Sequence, residues 1–232
     1  MVWTDLTRAT RELLAERDYD SINMGHIAAR AGLARNTLYN YAADKSALVV
    51  ALTQRVGRPA TERVAAIAAR SADPAAERLR EIIGVVLEAF TDQILQLIFR
   101  PGAALPAAGA PKGPDSPFHA VVVEVESVVR DGIGRGEFRP VGDVGLAVEL
   151  LSGVMRAGGE RIGRDPGALA ATVREAQAIL LAALDQRAAL DQREAGEQRE
   201  AADQPGPADQ PRAADQPGAG EQRGAADQRG AG

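Results

Sequence analysis

The 232-residue sequence predicts an all-α protein. Apolar residues recur at intervals of three and four, which places them on one face of a helix, and no stretch alternates apolar and polar residues between two turns. The run Val121–Val123 resembles a strand in isolation, but it belongs to a helical series from Phe118 to Val129. The predicted helices cover residues 4–17, 24–31, 35–41, 45–56, 60–71, 74–99, 118–135, 143–161 and 167–188.

Two of these helices begin at an aspartate that can accept a hydrogen bond from a free backbone N–H. Asp44 is predicted to cap the helix that starts at residue 45, and Asp73 the helix that starts at residue 74. Pro74 would then lie in the first turn, where its missing N–H costs nothing.

Proline and glycine mark the predicted breaks. Gly57-Arg58-Pro59 predicts a break after residue 56, because a proline inside a helix lacks an N–H and clashes with the carbonyl one turn back. The Pro and Gly content of 101–117 predicts a loop, and Asp165-Pro166-Gly167 separates the last two helices.

The composition excludes several classes of protein. The chain has no Cys and two His, His26 and His119, which excludes a disulfide scaffold, a thiolate metal site and a His-rich zinc site. The glycine-rich segment Gly132–Gly136 follows a helix and not a strand, so it lacks the context of a dinucleotide-binding loop. We therefore expect no enzyme activity, no metal and no cofactor.

The sequence also argues against a membrane protein. No stretch approaches the roughly 18 uninterrupted apolar residues of a membrane span. The N-terminus lacks a basic segment followed by an apolar one. We expect a cytoplasmic chain that has no membrane partner.

The segment 21–48 predicts a helix-turn-helix. A short helix that turns Met24 and Ile27 inward would end at Gly32, where glycine allows the left-handed conformation that stops a helix. A second short helix follows, anchored by Leu38 and rich in hydrogen-bond donors, and no acidic residue occurs until Asp44. Such a helix suits the major groove of DNA, whereas the plainer interpretation is a helical hairpin with a polar outer face.

Charge distribution agrees with DNA binding by this end of the chain. The net charge of the whole sequence is −5. Residues 1–58 hold 8 Lys and Arg against 6 Asp and Glu, a net of +2. DNA phosphates interact with the local charge of the binding surface and not with the net charge of the whole chain.

Residues 6–52 resemble the DNA-binding domain of TetR-type transcriptional regulators. The residues that match the family pattern, without gaps, are Ile27, Ala28, Ala31, Gly32, Thr37, Leu38, Tyr39, Tyr41, Lys45 and Leu48. Five positions depart from it. Ala34 replaces the usual Ser or Thr cap, Asn36 a small residue and Ala42 a Phe, while Asp18 stands where Gly is usual and His26 where an acid is common.

The resemblance implies a three-helix DNA-binding domain at 1–58 and a helical effector-binding and dimerisation domain at 59–190. It implies a dimeric repressor that leaves a palindromic, double-stranded operator when a small-molecule effector binds. Tyr39, Tyr41 and Lys45 correspond to family contacts with the DNA backbone, while the donor-rich pattern predicts that Arg35, Asn36 and Asn40 read bases. The predicted DNA-binding residues are Arg35, Asn36, Thr37, Tyr39, Asn40, Tyr41 and Lys45.

The last two predicted helices carry two wide apolar faces. Leu146, Leu150 and Val154 lie on the first, and Ile179 and Leu180 on the second. These faces fit a four-helix interface between two copies of the chain, although packing within one protomer is the alternative.

An effector pocket is predicted among helices 74–99, 118–135 and 143–161. Its candidate lining residues are Phe90, Ile94, Leu97, Phe118, Val122, Val125, Leu151 and Met155. Each of them could instead be ordinary core, and the sequence does not indicate the chemistry of the ligand.

From Asp185 the triplet Asp/Glu-Gln-Arg/Pro recurs every six residues to the end of the chain. No large apolar residue follows Leu190, so residues 191–232 are predicted to be a disordered hexapeptide-repeat tail. It is interpreted as a tolerated repeat expansion, with an interaction tail as the alternative.

Together these features predict a sequence-specific DNA-binding transcriptional regulator, most simply a repressor. The alternative is an all-helical protein-interaction module without specific DNA binding, and the basic face over 35–45 argues against it.

Overall fold

The structure, a computed structural model, describes residues 1–99 and 118–186. These residues are almost entirely helical, which confirms the predicted fold class. The predicted loop at 101–117 and the predicted tail at 191–232 lie outside the described residues. The helices are α1 (Val2–Glu16), α2 (Met24–Arg30), α3 (Arg35–Tyr39), α4 (Lys45–Ala68), α5 (Ala75–Ala89), α6 (Gln93–Gln96), α7 (His119–Gly134), α8 (Val144–Arg164) and α9 (Leu169–Leu184).

Two groups of buried side chains hold the helices together. The first joins α1, α2, α3 and the start of α4, and we call it the N-terminal core; its fully buried members include Leu6, Ile27, Leu38 and Leu52. The second, the C-terminal core, joins the rest of α4 to α5, α7, α8 and α9. Because α4 belongs to both, it connects the two halves of the fold.

The predicted break at Gly57-Arg58-Pro59 is wrong, since α4 runs without interruption from Lys45 to Ala68. Pro59 is exposed and removes only one hydrogen-bond donor from the ladder. The helix is held on both sides of it: Val56 packs against both cores, and Val64 is fully buried in the C-terminal core. Burial of these flanking turns outweighs the local cost of the proline.

The predicted single helix over 74–99 is also wrong. It consists of α5, then α6 and a 3-10 turn at Leu97–Phe99, and the chain bends by 92° between the two parts. The side chain of Asp92 accepts a hydrogen bond from the backbone N–H of Ile94 (2.8 Å) and so starts the new helix. Asp92 also pairs with Arg11 of α1 at 2.6 Å, which holds the bend against the first helix.

The predicted cap of α5 by Asp73 is wrong as well, because Pro74 occupies the cap position. A distant residue supplies the acceptor: the carboxylate of Glu137 accepts from the N–H groups of Ala75 (2.6 Å) and Ala76 (3.3 Å). Its neighbour Arg139 donates to the carbonyl of Ala183 at the end of α9 (2.7 Å). The loop after α7 therefore fastens the start of α5 to the end of α9.

Helices α8 and α9 pack together and leave large apolar side chains exposed. Leu150 is 68% exposed, and Leu146 and Ile179 are also exposed. The stretch Pro166–Leu184 is long and apolar enough to cross a membrane, and only 17% of it is buried. Exposed apolar side chains of this size are rare on a monomer and typically mark a contact surface.

Candidate nucleic-acid interface and ligand cavity

The first part of the candidate DNA-binding surface is the turn that joins α2 to α3. Asn23 caps α2, since its side-chain oxygen accepts from the N–H of His26 (3.0 Å) and the His26 ring accepts from the N–H of Asn23 (3.3 Å). Gly32 ends the first helix with φ 70°, as predicted. The N–H of Leu33 bonds to the carbonyl of Ala28 (2.9 Å), so the turn has one fixed geometry.

A single buried side chain fixes α3 to the domain. Leu38 is completely buried in the N-terminal core, and Ala42 just beyond the helix is buried beside it. Ala34 makes no side-chain cap bond, so the position of this five-residue helix depends on Leu38 and on the preceding turn. The remaining faces of α3 are thereby free for contacts with another molecule.

Four of the predicted DNA-binding residues share the exposed surface of α3: Arg35, Asn36, Tyr39 and Asn40. The Arg35 guanidinium donates to the Tyr39 hydroxyl (3.3 Å) and lies over its ring at 5.8 Å. Thr37 is only half-buried and precedes the anchor Leu38. The exposed side chains thus comprise a cation, two amides and a phenol, and Arg and Asn are residues that can pair with base edges.

Tyr41 lies just after α3 and packs edge-on against Trp3 of α1, with the ring centres 5.6 Å apart. The guanidinium of Arg55 on α4 lies over the Trp3 ring, 4.3 Å from the ring centre. Trp3 and Arg55 are absent from the predicted site because the contacts of Trp3 with Tyr41 and of Arg55 with Trp3 are tertiary. The only available signal was that Trp3 is the single tryptophan of the chain.

Lys45, predicted to contact a phosphate, has internal partners in this structure. Its ammonium donates to the carbonyls of Ile22 (2.9 Å) and Tyr19 (3.1 Å) and lies 4.0 Å from the centre of the Tyr19 ring. The side chain therefore ties the start of α4 to the turn that follows α1. A role in DNA binding would add to this structural role.

An ion pair between α1 and α2 supports the same surface from behind. Arg30 donates to both carboxylate oxygens of Glu16 (2.7 and 2.8 Å). This hydrogen bonding lowers the pKa of Glu16 and raises the pKa of Arg30 from their ordinary values. The bidentate contact fixes the angle between the two helices that precede α3.

The C-terminal half contains a cavity of about 150 Å³ between α5, α7 and α8. Six of the eight predicted pocket residues line it: Phe90, Phe118, Val122, Val125, Leu151 and Met155. Side chains that the sequence did not single out, among them Ile82, Val86, Phe99 and Arg156, complete the wall.

The two other predicted pocket residues do not line the cavity, which corrects the prediction. The bend before α6 turns Ile94 away, and this side chain is completely buried in the N-terminal core. Leu97 is buried in the C-terminal core outside the cavity wall. The straight helix assumed for 74–99 had placed both residues on the same face as Phe90.

Aromatic rings form one side of the cavity. Phe90 contacts Phe99 and Phe118 edge-on, at centroid distances of 4.8 and 5.9 Å. Gly159 of α8 lies directly behind them, because a Cβ placed there would be 2.5 Å from the Phe99 ring and 2.9 Å from that of Phe90. The lack of a side chain at residue 159 therefore determines how closely the Phe90 and Phe99 rings approach α8, and hence their distance from the cavity.

Within the described residues, no group of three or more His, Cys, Asp and Glu side chains could hold a metal ion. A segment near the N-terminus is similar to a known family: residues 6–52 match the family model described as bacterial regulatory proteins, tetR family. No curated protein matches the chain.

Several solved structures share the fold. The fatty acid degradation regulator FadR from Bacillus halodurans is 20% identical, with a TM-score of 0.63 over 78% of this chain and 99% of that one. FadR from Bacillus subtilis in complex with stearoyl-CoA is also 20% identical, with a TM-score of 0.64 over 77% and 97%. SmeT, the repressor of the Stenotrophomonas maltophilia multidrug efflux pump SmeDEF, is 18% identical, with a TM-score of 0.61 over 80% and 91%.

Proposed function

The chain carries the DNA-binding domain of the tetR family of bacterial regulatory proteins, and from this premise we propose that it is a sequence-specific transcriptional repressor released from its operator by a small molecule. The family consists of regulators, so the chain is not an enzyme. The observation that carries the proposal is the exposed polar surface of α3, anchored by Leu38 beside the Gly32 turn.

The residues of this surface have different roles in the proposal. Arg35, Asn36 and Asn40 read base edges, because Arg pairs bidentately with guanine and Asn with adenine. Tyr39, Tyr41 and Lys45 contact the sugar-phosphate backbone, which fixes the helix in its register. Trp3 holds Tyr41 in place from α1, at a centroid distance of 5.6 Å.

Release by an effector is supported by the cavity in the C-terminal half. It is lined almost entirely by apolar side chains and lies next to the α5–α6 bend that packs on the N-terminal core. FadR of Bacillus subtilis holds stearoyl-CoA, and SmeT is also described in complex with triclosan. A ligand in the corresponding region of this chain would push against the α5–α6 bend.

A homodimer and a palindromic operator complete the proposal. Leu146 and Leu150 on α8 and Ile179 on α9 are exposed, and a second copy packed on these two helices would cover them. Two recognition helices related by a two-fold axis then bind two half-sites of opposite orientation. A bacterial regulator meets its operator in the cytoplasm, so the proposal places the protein there.

Selection of bound sequences from a random duplex pool by the purified chain tests this function. We expect enrichment of one palindromic sequence, and loss of the enrichment with an Asn36→Ala, Asn40→Ala double variant that keeps the helical circular dichroism spectrum. If the folded chain enriches no sequence, the proposal is wrong and an all-helical protein-interaction module becomes the better interpretation.

A further inference from the structure

Three side chains from different parts of the N-terminal half meet beside α3. Tyr41 follows α3, Trp3 lies at the start of α1 and Arg55 lies on α4. The centre of the Trp3 ring is 5.6 Å from that of Tyr41 and 4.3 Å from the Arg55 guanidinium. We call these three residues the Trp3 patch. Their contacts extend the exposed surface of α3 across to α4.

Each member of the Trp3 patch has a hydrogen-bond donor without an internal acceptor. In the part of the chain that the structure describes, nothing accepts from the Tyr41 hydroxyl, the Trp3 indole N–H or the Arg55 guanidinium. Tyr41 is 39% exposed, and Arg55 is exposed as well. The Trp3 N–H is also open to solvent, since the described buried donors and acceptors without a partner belong to Thr10 and Arg78. The patch therefore offers three donors to an acceptor outside the chain.

The charge of Arg55 is balanced differently from that of the arginines on α1 and α2. Arg8, Arg11 and Arg30 each pair with a carboxylate, at 2.9, 2.6 and 2.7 Å. Arg55 forms no ion pair with any described residue, and its cation–π contact with Trp3 uses no N–H donor. Because the indole also holds the guanidinium in place, a further contact by Arg55 costs less side-chain entropy.

A phosphate of the DNA backbone is the anion that this set of donors fits. Phosphate oxygens accept strong, charge-assisted hydrogen bonds from arginine, and they also accept from tyrosine and from other N–H donors. Arg55 lies ten residues beyond Lys45, which is about 15 Å along α4. Since successive phosphates of one strand are only 3.4 Å apart along the DNA axis, Arg55 and Lys45 would contact different phosphates.

We infer that the Trp3 patch binds a phosphate of the DNA backbone, with Arg55 supplying the charge and with the Trp3 N–H and the Tyr41 hydroxyl as further donors. This inference deepens the proposed function, on which it rests for the presence of DNA. A phosphate contact carries no sequence information, so the patch adds affinity and fixes the position of α3 without reading bases.

Affinity of the purified full chain for DNA, measured between 50 and 200 mM salt on the selected operator and on a scrambled duplex, tests the inference. Arg55→Gln should reduce the slope of log K against log salt by roughly one unit on both duplexes, because one cationic phosphate contact is lost. The affinity advantage of the wild type should consequently shrink about three- to fourfold over this range. Arg55→Lys should keep the slope, since it keeps the charge.

Arg17→Gln is the matched control for the loss of one charge. Arg17 is exposed, forms no ion pair with the residues that the structure describes, and follows the last turn of α1, about 21 Å along the helix from Trp3. Its substitution should leave the slope unchanged. An equal fall of the slope with Arg17→Gln would overturn the inference, because the effect would then reflect net charge alone.

Trp3→Phe tests the neutral donor of the patch, since it removes the N–H and keeps an aromatic ring. It should weaken binding about equally on both duplexes and leave the slope unchanged, because a neutral donor releases no counterion. All variants are compared below their melting temperatures. Wild-type affinity of the Trp3→Phe protein would overturn the inference, and so would a wild-type slope with Arg55→Gln.

Operators that carry one neutral methylphosphonate in each half-site locate the contact. At one position the neutral linkage should weaken binding of the wild type severalfold and leave binding of Arg55→Gln unchanged. Equal sensitivity of the two proteins at every position would overturn the inference.

Sequence selection separates this inference from the proposed function. A folded chain whose salt slope depends on Arg55 but which selects no sequence would retain the phosphate contact and lose the repressor. A chain that selects an operator with a slope independent of Arg55 would retain the repressor and lose the phosphate contact.

Discussion

Gly159 has a packing role that a larger side chain would destroy. Its position leaves no room for a Cβ, which would be 2.5 Å from the Phe99 ring. We expect Gly159→Ala to lower the free energy of unfolding by about 1–3 kcal/mol, since overpacking outweighs the better helix propensity of alanine. Displaced rings would also reduce the cavity.

Gly84→Ala is the control for this substitution in urea denaturation. Gly84 lies within α5, where a Cβ would meet only Gln177 at 3.9 Å. Alanine should therefore stabilise the protein there by up to roughly 1 kcal/mol. A Gly159→Ala protein as stable as Gly84→Ala would show that Phe99 can move away at no cost.

Lys45 and the residues of α3 are expected to affect DNA binding in different ways. Lys45→Ala should weaken binding about equally on operator and scrambled duplex, and reduce the salt slope by roughly one unit. Arg35→Ala and Asn36→Ala should lose about 1–3 kcal/mol of preference at particular base pairs. Affinities measured against salt concentration on both duplexes distinguish the two patterns.

Folding must be checked for Lys45→Ala, because its ammonium also holds the carbonyls of Tyr19 and Ile22. Affinities should be compared well below the melting temperature of the variant. A change of base preference with Lys45→Ala, together with unchanged preference for Arg35→Ala and Asn36→Ala, would mean that α3 is rotated differently in the groove.

At the residue scale, local roles were predictable and tertiary ones were not. The cap at Asp44 and the left-handed Gly32 depend on neighbours within three residues, and the structure confirms both. The predicted cap at Asp73 failed because the distant Glu137 supplies the acceptor. The partners of Lys45 and Trp3 are far away in sequence. No local pattern specifies such contacts.

At the scale of elements, the intact α4 makes Pro59 an exposed defect in a long helix. Pro59→Ala should restore the hydrogen bond to the carbonyl of Arg55 and relieve the clash with it. We expect a gain of about 1–3 kcal/mol in the free energy of unfolding by urea denaturation. Pro74→Ala serves as the control and should not stabilise, because Pro74 precedes the first turn of α5. A destabilised Pro59→Ala protein would contradict this account.

The two wrong helix predictions have opposite causes. Around Pro59 a strong local signal for a break was overridden by the burial of Val56 and Val64. Around Asp92 the apolar residues keep their helical spacing, so the sequence predicted no break. The helix nevertheless ends there, because Asp92 caps a new helix and its carboxylate also pairs with Arg11 of α1. Thr91-Asp92 was a usable signal, since such residues favour helix starts.

At the scale of the whole molecule, the exposed apolar surface of α8 and α9 predicts self-association. Leu150→Glu should convert a dimer to a monomer in sedimentation velocity, because burying the new charge in an interface would cost several kcal/mol. Val123→Glu is the control, as Val123 is comparably exposed on α7. A Leu150→Glu protein that stays dimeric would place the interface elsewhere.

The choice of Leu150 depends on the structure. Leu180, which the sequence also placed on an apolar face, lines the cavity together with Leu151 and is only 2% exposed. A charge at either position would disrupt the protomer itself. Helical spacing predicts that a face is apolar, but it cannot say whether the same protomer or a second copy covers it.

The fold class and the order of the helices were predictable, because each follows from periodicity and from short turn signals. The cavity was predictable in its main walls but not in Arg156, since a charged residue on a helix is usually only a solvated side chain.

The shared helix α4 has a consequence for how the molecule opens in solution. Leu48 and Leu52 belong to one core, Val49 and Val64 to the other, and Val56 touches both. Unfolding of either half would remove the packing from only one side of α4. The central amides of α4 should therefore exchange with deuterium only when both halves unfold together. A ligand bound in the cavity would then slow deuterium uptake near Leu52 as well, although that residue lies in the DNA-binding half.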